Sequence, residues 1–161
     1  MKQNNNFNKV ALVLLFFVLV SSRAFSQQPQ KLTVYKSPIQ MVDAAKAVIT
    51  EIPVDEFKKI TDTKNPVIID VRTAAEYESG AIPGAVNIPR GVLEFRIGME
   101  EIWEEFGKPV PSKSDTIYVY CGSGSRGALS AKALMQLGYT NVFSVEGGWN
   151  AWHEAYPDLS N

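Results

Sequence analysis

The chain of 161 residues predicts an α/β fold with a largely parallel sheet covered by helices on both faces. Two observations carry most of that expectation. Val67-Ile68-Ile69-Asp70-Val71 and Thr116-Ile117-Tyr118-Val119-Tyr120 are unbroken β-branched and aromatic runs, as expected of strands buried on both faces of a parallel sheet. Between and around them, weaker strand-like stretches alternate with segments of helical periodicity, which is the pattern of βα units.

Taken in order, residues 38–50 carry apolar side chains at helical spacing (Ile39, Val42, Ala45, Val48, Ile49), and Pro38 suits a first helical turn. Glu51-Ile52 reads as a short strand. Pro53-Val54-Asp55-Glu56-Phe57 opens a second helix that reaches about Ile60, and Asn65-Pro66 marks a turn. After the first strong strand, Thr73 is a good N-cap for a short helix over residues 74–79. Glu76 at its third position completes a capping box, and Gly80 stops it. Residues 84–89 read as a third strand. Residues 90–106 form a helical stretch that Gly98 is placed to break in two, and residues 107–114 form a loop with Pro109 and Pro111. The second strong strand runs into a glycine-rich loop over residues 121–127. A helix over 128–137 follows, closed by Gly138, then a strand over 142–145. Glu146-Gly147-Gly148 turns into a terminal helix carrying Trp149 and Trp152.

This length suits one domain with a real core, and the 11% aromatic content argues against disorder. The formal charge of −1 hides an asymmetry, because every charge before Gln27 is positive: Lys2, Lys9 and Arg23. Without that stretch 13 basic residues face 17 acidic ones. There is no basic footprint for nucleic acid. The acidic group Glu100, Glu101, Glu104 and Glu105 reads as a solvated helix face.

Residues 1–26 read as a signal peptide: a short positive region, the apolar run VALVLLFFVLV, and the small-x-small site Ala24-Phe25-Ser26. The run is about half of the ~20 apolar residues a spanning helix needs, so stable membrane insertion after cleavage is not expected. The expected organisation is then a flexible lead-in over 27–37, one domain over 38–156 and a tail over 157–161. The expected location is the periplasm.

Export makes the single cysteine informative. Secreted domains tend to use cysteines in pairs, and here no internal disulfide can form. Cys121 is therefore either an inert core thiol or a residue kept for its chemistry. Its surroundings favour the second. It ends a strand where α/β folds bind ligands, and Asp70 shares that edge. The loop Cys121-Gly122-Ser123-Gly124-Ser125-Arg126-Gly127 enters a helix, so free backbone N–H groups and the Arg126 charge favour an anionic sulfur. The one histidine, His153, lies near the C-terminus. There is no CxxC pair for dithiol exchange and no ligand set for a metal, so no cofactor is expected. A thiolate attacking an already electrophilic sulfur needs no base, and its persulfide product suits an anion cradle.

The stretches IIDVRTAAEYESGAIPGAVNIP, YVYCGSGSRGALSAKALMQLGY and VFSVEGGWNAW resemble a rhodanese-like domain, in that family's order and spacing. The resemblance implies a three-layer α/β/α fold with a central, mainly parallel five-stranded sheet. It implies a persulfide on Cys121, held by amides of Gly122, Ser123, Gly124, Ser125 and Gly127, with Arg126 binding the donor or shaping the loop. Asp70, Arg72 and Arg90 are read as supporting residues. Asp70 and Arg72 are expected to pair and tie loops together; Arg90 is a candidate for the cleft wall. Trp149 and Trp152 read as packing residues. One departure bears on substrate: such domains often carry arginine directly after the cysteine, where this chain has Gly122.

Two functions stand side by side. One is a sulfurtransferase of the thiosulfate sulfurtransferase type, moving sulfane sulfur from a small anionic donor, thiosulfate or a persulfide, to a thiol or cyanide acceptor. The other is a sulfur carrier or partner-binding module without fast turnover. A phosphatase is disfavoured, because the arginine follows Cys121 after four intervening residues rather than five, and Gly127 stands where that arginine would fall. An enzyme for a dianionic donor calls for cations besides Arg126, and Arg72, Arg90 and Arg96 are the candidates.

Overall fold

The computed structural model describes residues 32–159, and the compact unit begins at Tyr35. The signal-peptide reading lies outside the described residues. Among the described residues no helix is long and apolar enough to cross a membrane.

The chain runs α1 (Pro38–Lys46), β1 (Thr50–Ile52), α2 (Val54–Thr63), β2 (Val67–Asp70), α3 (Ala74–Glu78), β3 (Ala85–Asn87), α4 (Leu93–Arg96), α5 (Glu100–Glu105), β4 (Thr116–Tyr120), α6 (Ser125–Gln136), β5 (Asn141–Val145) and α7 (Gly148–Ala155). A 3₁₀ turn, Pro157–Leu159, follows α7, and the Trp152 indole N–H donates to the Leu159 carbonyl at 3.3 Å. The five strands form one sheet in the order β1-β5-β4-β2-β3, every pair parallel. This is the predicted five-stranded α/β fold.

Alternation along the strands builds two cores. Ile69, Ile117 and Val119 face one side with Leu134 of α6, Leu93 of α4 and Trp103 of α5. Ile68, Tyr118 and Tyr120 face the other side with Phe57 of α2 and Trp152 of α7. Period-two alternation in a doubly covered sheet requires both faces to be apolar, and that is why β2 and β4 read as unbroken apolar runs. The four acidic residues of residues 100–105 are exposed while Trp103 between them is buried.

Several element ends differ from the sequence reading. α1 stops at Lys46, because Thr50 pairs with Phe143 as the first residue of β1. α2 runs to Thr63, its last turn held by Thr61 and Thr63 hydroxyls donating to the Lys58 and Lys59 carbonyls. The largest difference is α6, which begins at Ser125 rather than Ala128. Gly124, at φ 93°, makes the left-handed turn into the helix. Ser125, Arg126 and Gly127 therefore form its first turn.

Candidate active site

β4 lies at the centre of the sheet between β5 and β2. The chain leaves β2 toward β3 and leaves β4 toward β5, in opposite directions, so the crevice beyond the carboxyl ends of β2 and β4 is a topological switch point. Asp70 ends one strand and Cys121 directly follows the other.

Cys121 is buried, at 1% exposure, at the edge of the core formed by Val119 and Ala131. The residues after it carry unpartnered donors. None of the backbone N–H groups from Gly122 to Gly127 has an acceptor among the described residues; the first bond of the new helix is Ala128 N–H to Gly124 C=O, at 2.9 Å. Three of these six amides belong to the open first turn of α6, whose dipole adds partial positive charge.

The loop is held from behind by α7. The Trp149 and Asn150 N–H groups donate to the carbonyls of Cys121 (2.7 Å) and Gly122 (2.9 Å). A trans peptide places its N–H opposite its C=O, so anchoring these two carbonyls on α7 turns the Gly122 and Ser123 N–H groups away from α7. Gly148 makes this approach feasible. It sits at φ 59°, and a Cβ there would lie 2.2 Å from the Cys121 carbonyl oxygen. Gly148→Ala is expected to lose at least the ~1–2 kcal/mol of a left-handed residue and to displace the loop. Urea unfolding checks this; an unchanged midpoint would contradict the close approach.

Arg126 comes out of the first turn of α6 and forms a two-pronged ion pair with Glu76 of α3. Nη1 donates to Oε2 at 2.9 Å and Nη2 to Oε1 at 2.7 Å. Arg126 holds the Glu76 carboxyl far below the usual carboxylate range, helped by the Thr73 backbone N–H. In turn Glu76 first, and the Cys121 sulfur as a lesser contributor, raises Arg126 further above its ordinary value. Glu76 keeps its local role as well: its carboxylate accepts the Thr73 N–H at 3.0 Å, and the Thr73 hydroxyl accepts the Glu76 N–H at 3.3 Å, the predicted capping box.

Asp70 and Arg72 pair as expected, fully inside the protein. Arg72 Nη2 donates to Asp70 Oδ2 at 2.7 Å and to the Gly80 carbonyl at 2.6 Å, and Nε donates to the same carboxylate. The guanidinium also lies 4.7 Å from the centre of the Trp149 ring, which makes Trp149 a packing partner. Asn87 Nδ2 donates to the Asp70 and Arg72 carbonyls. This network fixes the turn that carries Thr73, and with it α3 and Glu76. Tyr120, whose hydroxyl accepts the Ile82 N–H at 3.1 Å, is pushed up first by burial and then by the Asp70 charge, so it stays protonated. Arg90 pairs with Glu94 one turn on, at 2.8 Å. The structure thus brings Arg126 to Cys121, while Asp70 and Arg72 brace the site from within and Arg90 is engaged along its own segment.

Two parts of this site escaped the sequence reading. Glu76 was legible as a capping residue, but its pairing with Arg126 spans 50 positions and leaves no local signal. The backbone donors of Trp149 and Asn150 leave no side-chain signal; only the Gly147-Gly148 pair marks a close approach.

A parallel five-stranded sheet with a cysteine directly after its central strand, followed by a loop of unpartnered amides, defines a class of cysteine-loop α/β domains. Within that class, the chain belongs to the rhodanese-like domain family, whose model matches residues 53–155. It is 35% identical over 95 residues to a sulfurtransferase of Allochromatium vinosum, covering 59% of this chain and 78% of that one. It is 34% identical over 79 residues to the thiosulfate sulfurtransferase PspE of Escherichia coli, covering 49% and 67%. Among solved structures, the human single-domain sulfurtransferase TSTD1 superposes with a TM-score of 0.60 at 28% identity, over 65% of this chain and 95% of that one.

Proposed function

We propose that this protein is a sulfurtransferase that takes sulfane sulfur from thiosulfate or a persulfide onto Cys121 and passes it to a thiol or cyanide. The observation that carries the reading is the run of six unpartnered amides, Gly122 to Gly127, that directly follows the one cysteine. Such donors stabilise negative charge on an attacking thiolate and on the outer sulfur of a persulfide, and they need no reorganisation during reaction. The Cys121 thiolate attacks the outer sulfur of the donor. The donor's sulfur–sulfur bond breaks, and sulfite or a thiolate leaves with the electron pair. An acceptor nucleophile then attacks the outer sulfur of the Cys121 persulfide and regenerates the thiolate. Arg126, through its ion pair with Glu76, keeps the loop in shape beside the sulfur.

Turnover with donor and cyanide tests this. Repeated release of thiocyanate, many equivalents per protein, is the expected result. A single equivalent would favour the sulfur-carrier reading, and none would remove both.

The positive region, apolar run and small-x-small site of residues 1–26 support export to the periplasm as part of the same proposal. A mature protein beginning at Gln27, seen by intact mass, is the expected outcome. Retention of residues 1–26 in the exported protein would contradict it.

A further inference from the structure

The candidate cations of the cleft do not present free charge. Arg72 is neutralised by Asp70 at 2.7 Å, Arg90 by Glu94 at 2.8 Å, and Arg126 by Glu76 at 2.7 Å. Arg96 is solvent-exposed on α4, where water and salt screen its field. The pair that matters most is the one beside the loop. A Cβ built on Gly122 would lie 3.4 Å from Arg126 Nη2 and 4.0 Å from Glu76 Oε1, so the residue after the cysteine sits directly under both charges. With glycine there, no second cation offsets Glu76. The rim of the site is a carboxylate and a guanidinium of zero net charge.

Backbone amides alone hold one negative charge well, as they would for a thiolate or a persulfide. A dianion demands more: its second charge needs a free cation, and here it meets a carboxylate instead. We infer that Glu76 is a specificity-determining residue which, by neutralising Arg126 beside Gly122, selects hydropersulfide donors of low charge over dianionic thiosulfate. The inference rests on the sulfurtransferase reading above. In the selected step the Cys121 thiolate attacks the outer sulfur of R–S–SH. The sulfur–sulfur bond breaks, R–S⁻ leaves with the electron pair, and Cys121 carries the S–SH group with its proton. Charge and atoms balance without an oxidant.

Two variants shift the charge in independent ways. Glu76→Gln removes the carboxylate yet keeps a residue that completes a capping box. Gly122→Arg adds a cation where the backbone does not require glycine, since φ there is not positive. The rate of single-turnover loading of Cys121 is measured with thiosulfate and with 2-hydroxyethyl hydropersulfide, for the wild type and both variants. The thiosulfate-to-hydropersulfide ratio is independent of the folded fraction. The wild type is expected to load faster from the hydropersulfide, and each variant to raise the ratio about tenfold, the weight of one charge-assisted contact. A wild type that loads as fast from thiosulfate, or a ratio unmoved in both variants, would overturn the inference while leaving sulfur transfer intact. Loading from neither donor would instead bring down the sulfurtransferase reading and this inference together.

Discussion

Cys121→Ser is expected to abolish sulfur transfer and to leave the fold standing. No other thiol exists in the chain to take over, because Cys121 is its one cysteine. A serine hydroxyl forms no persulfide, and without a general base beside it it is a poor nucleophile. The structural cost is small even for a residue only 1% exposed. The exchange is nearly isosteric, and the loop that follows has unpartnered N–H donors to offer the new hydroxyl, so the penalty of burying a polar group is expected to be largely offset. Loss of at least a thousandfold in thiocyanate formation, with a stability change within about 1 kcal/mol by urea unfolding, is the expected pair of results. Persistent transfer in this variant would remove Cys121 from the mechanism.

Asp70→Ala is expected to produce the largest loss of stability among these variants. Asp70 is wholly buried and Arg72 is 3% exposed, and Arg72 is tied at once to Asp70, the Gly80 carbonyl and the face of Trp149. Removing the carboxylate strands a buried guanidinium, which costs about 3–5 kcal/mol, a large part of the ~5–15 kcal/mol that holds a domain folded. The denaturant midpoint should fall accordingly. Replacing both residues by apolar ones of similar volume should cost less, because no charge is left unpaired. A loss below about 1 kcal/mol for the single variant would show that water reaches Arg72. The effect extends to the site, since this pair fixes the turn leading into α3, which carries Glu76.

The fold was legible because its strongest signals are local. VIIDV and TIYVY are strands on both faces of a parallel sheet, and each is followed by its own turn chemistry: Thr73 with Glu76 after the first, the glycine loop after the second. Cys121 was legible as the candidate nucleophile for the same reason. What the sequence concealed is non-local. The start of α6 reads three residues late because Gly127 looks like loop; it is helical, and glycine is there because a Cβ would press within 3.1 Å of the Ser144 hydroxyl on β5. Arg126 and Arg90 read as cations available to an anionic donor, and each proves to be paired with a carboxylate, as Arg72 was already expected to be. The Arg90 partner stands one helical turn away and was open to inspection. The Arg126 partner comes from another helix, and only the folded chain brings the two together.

The most direct test of the central claim is the mass of the peptide containing Cys121 before and after exposure to a sulfur donor. The expected result is the gain of one sulfur atom on that peptide, reversed by cyanide. A thiol that stays unmodified with both thiosulfate and a hydropersulfide would contradict it and leave Cys121 a core residue.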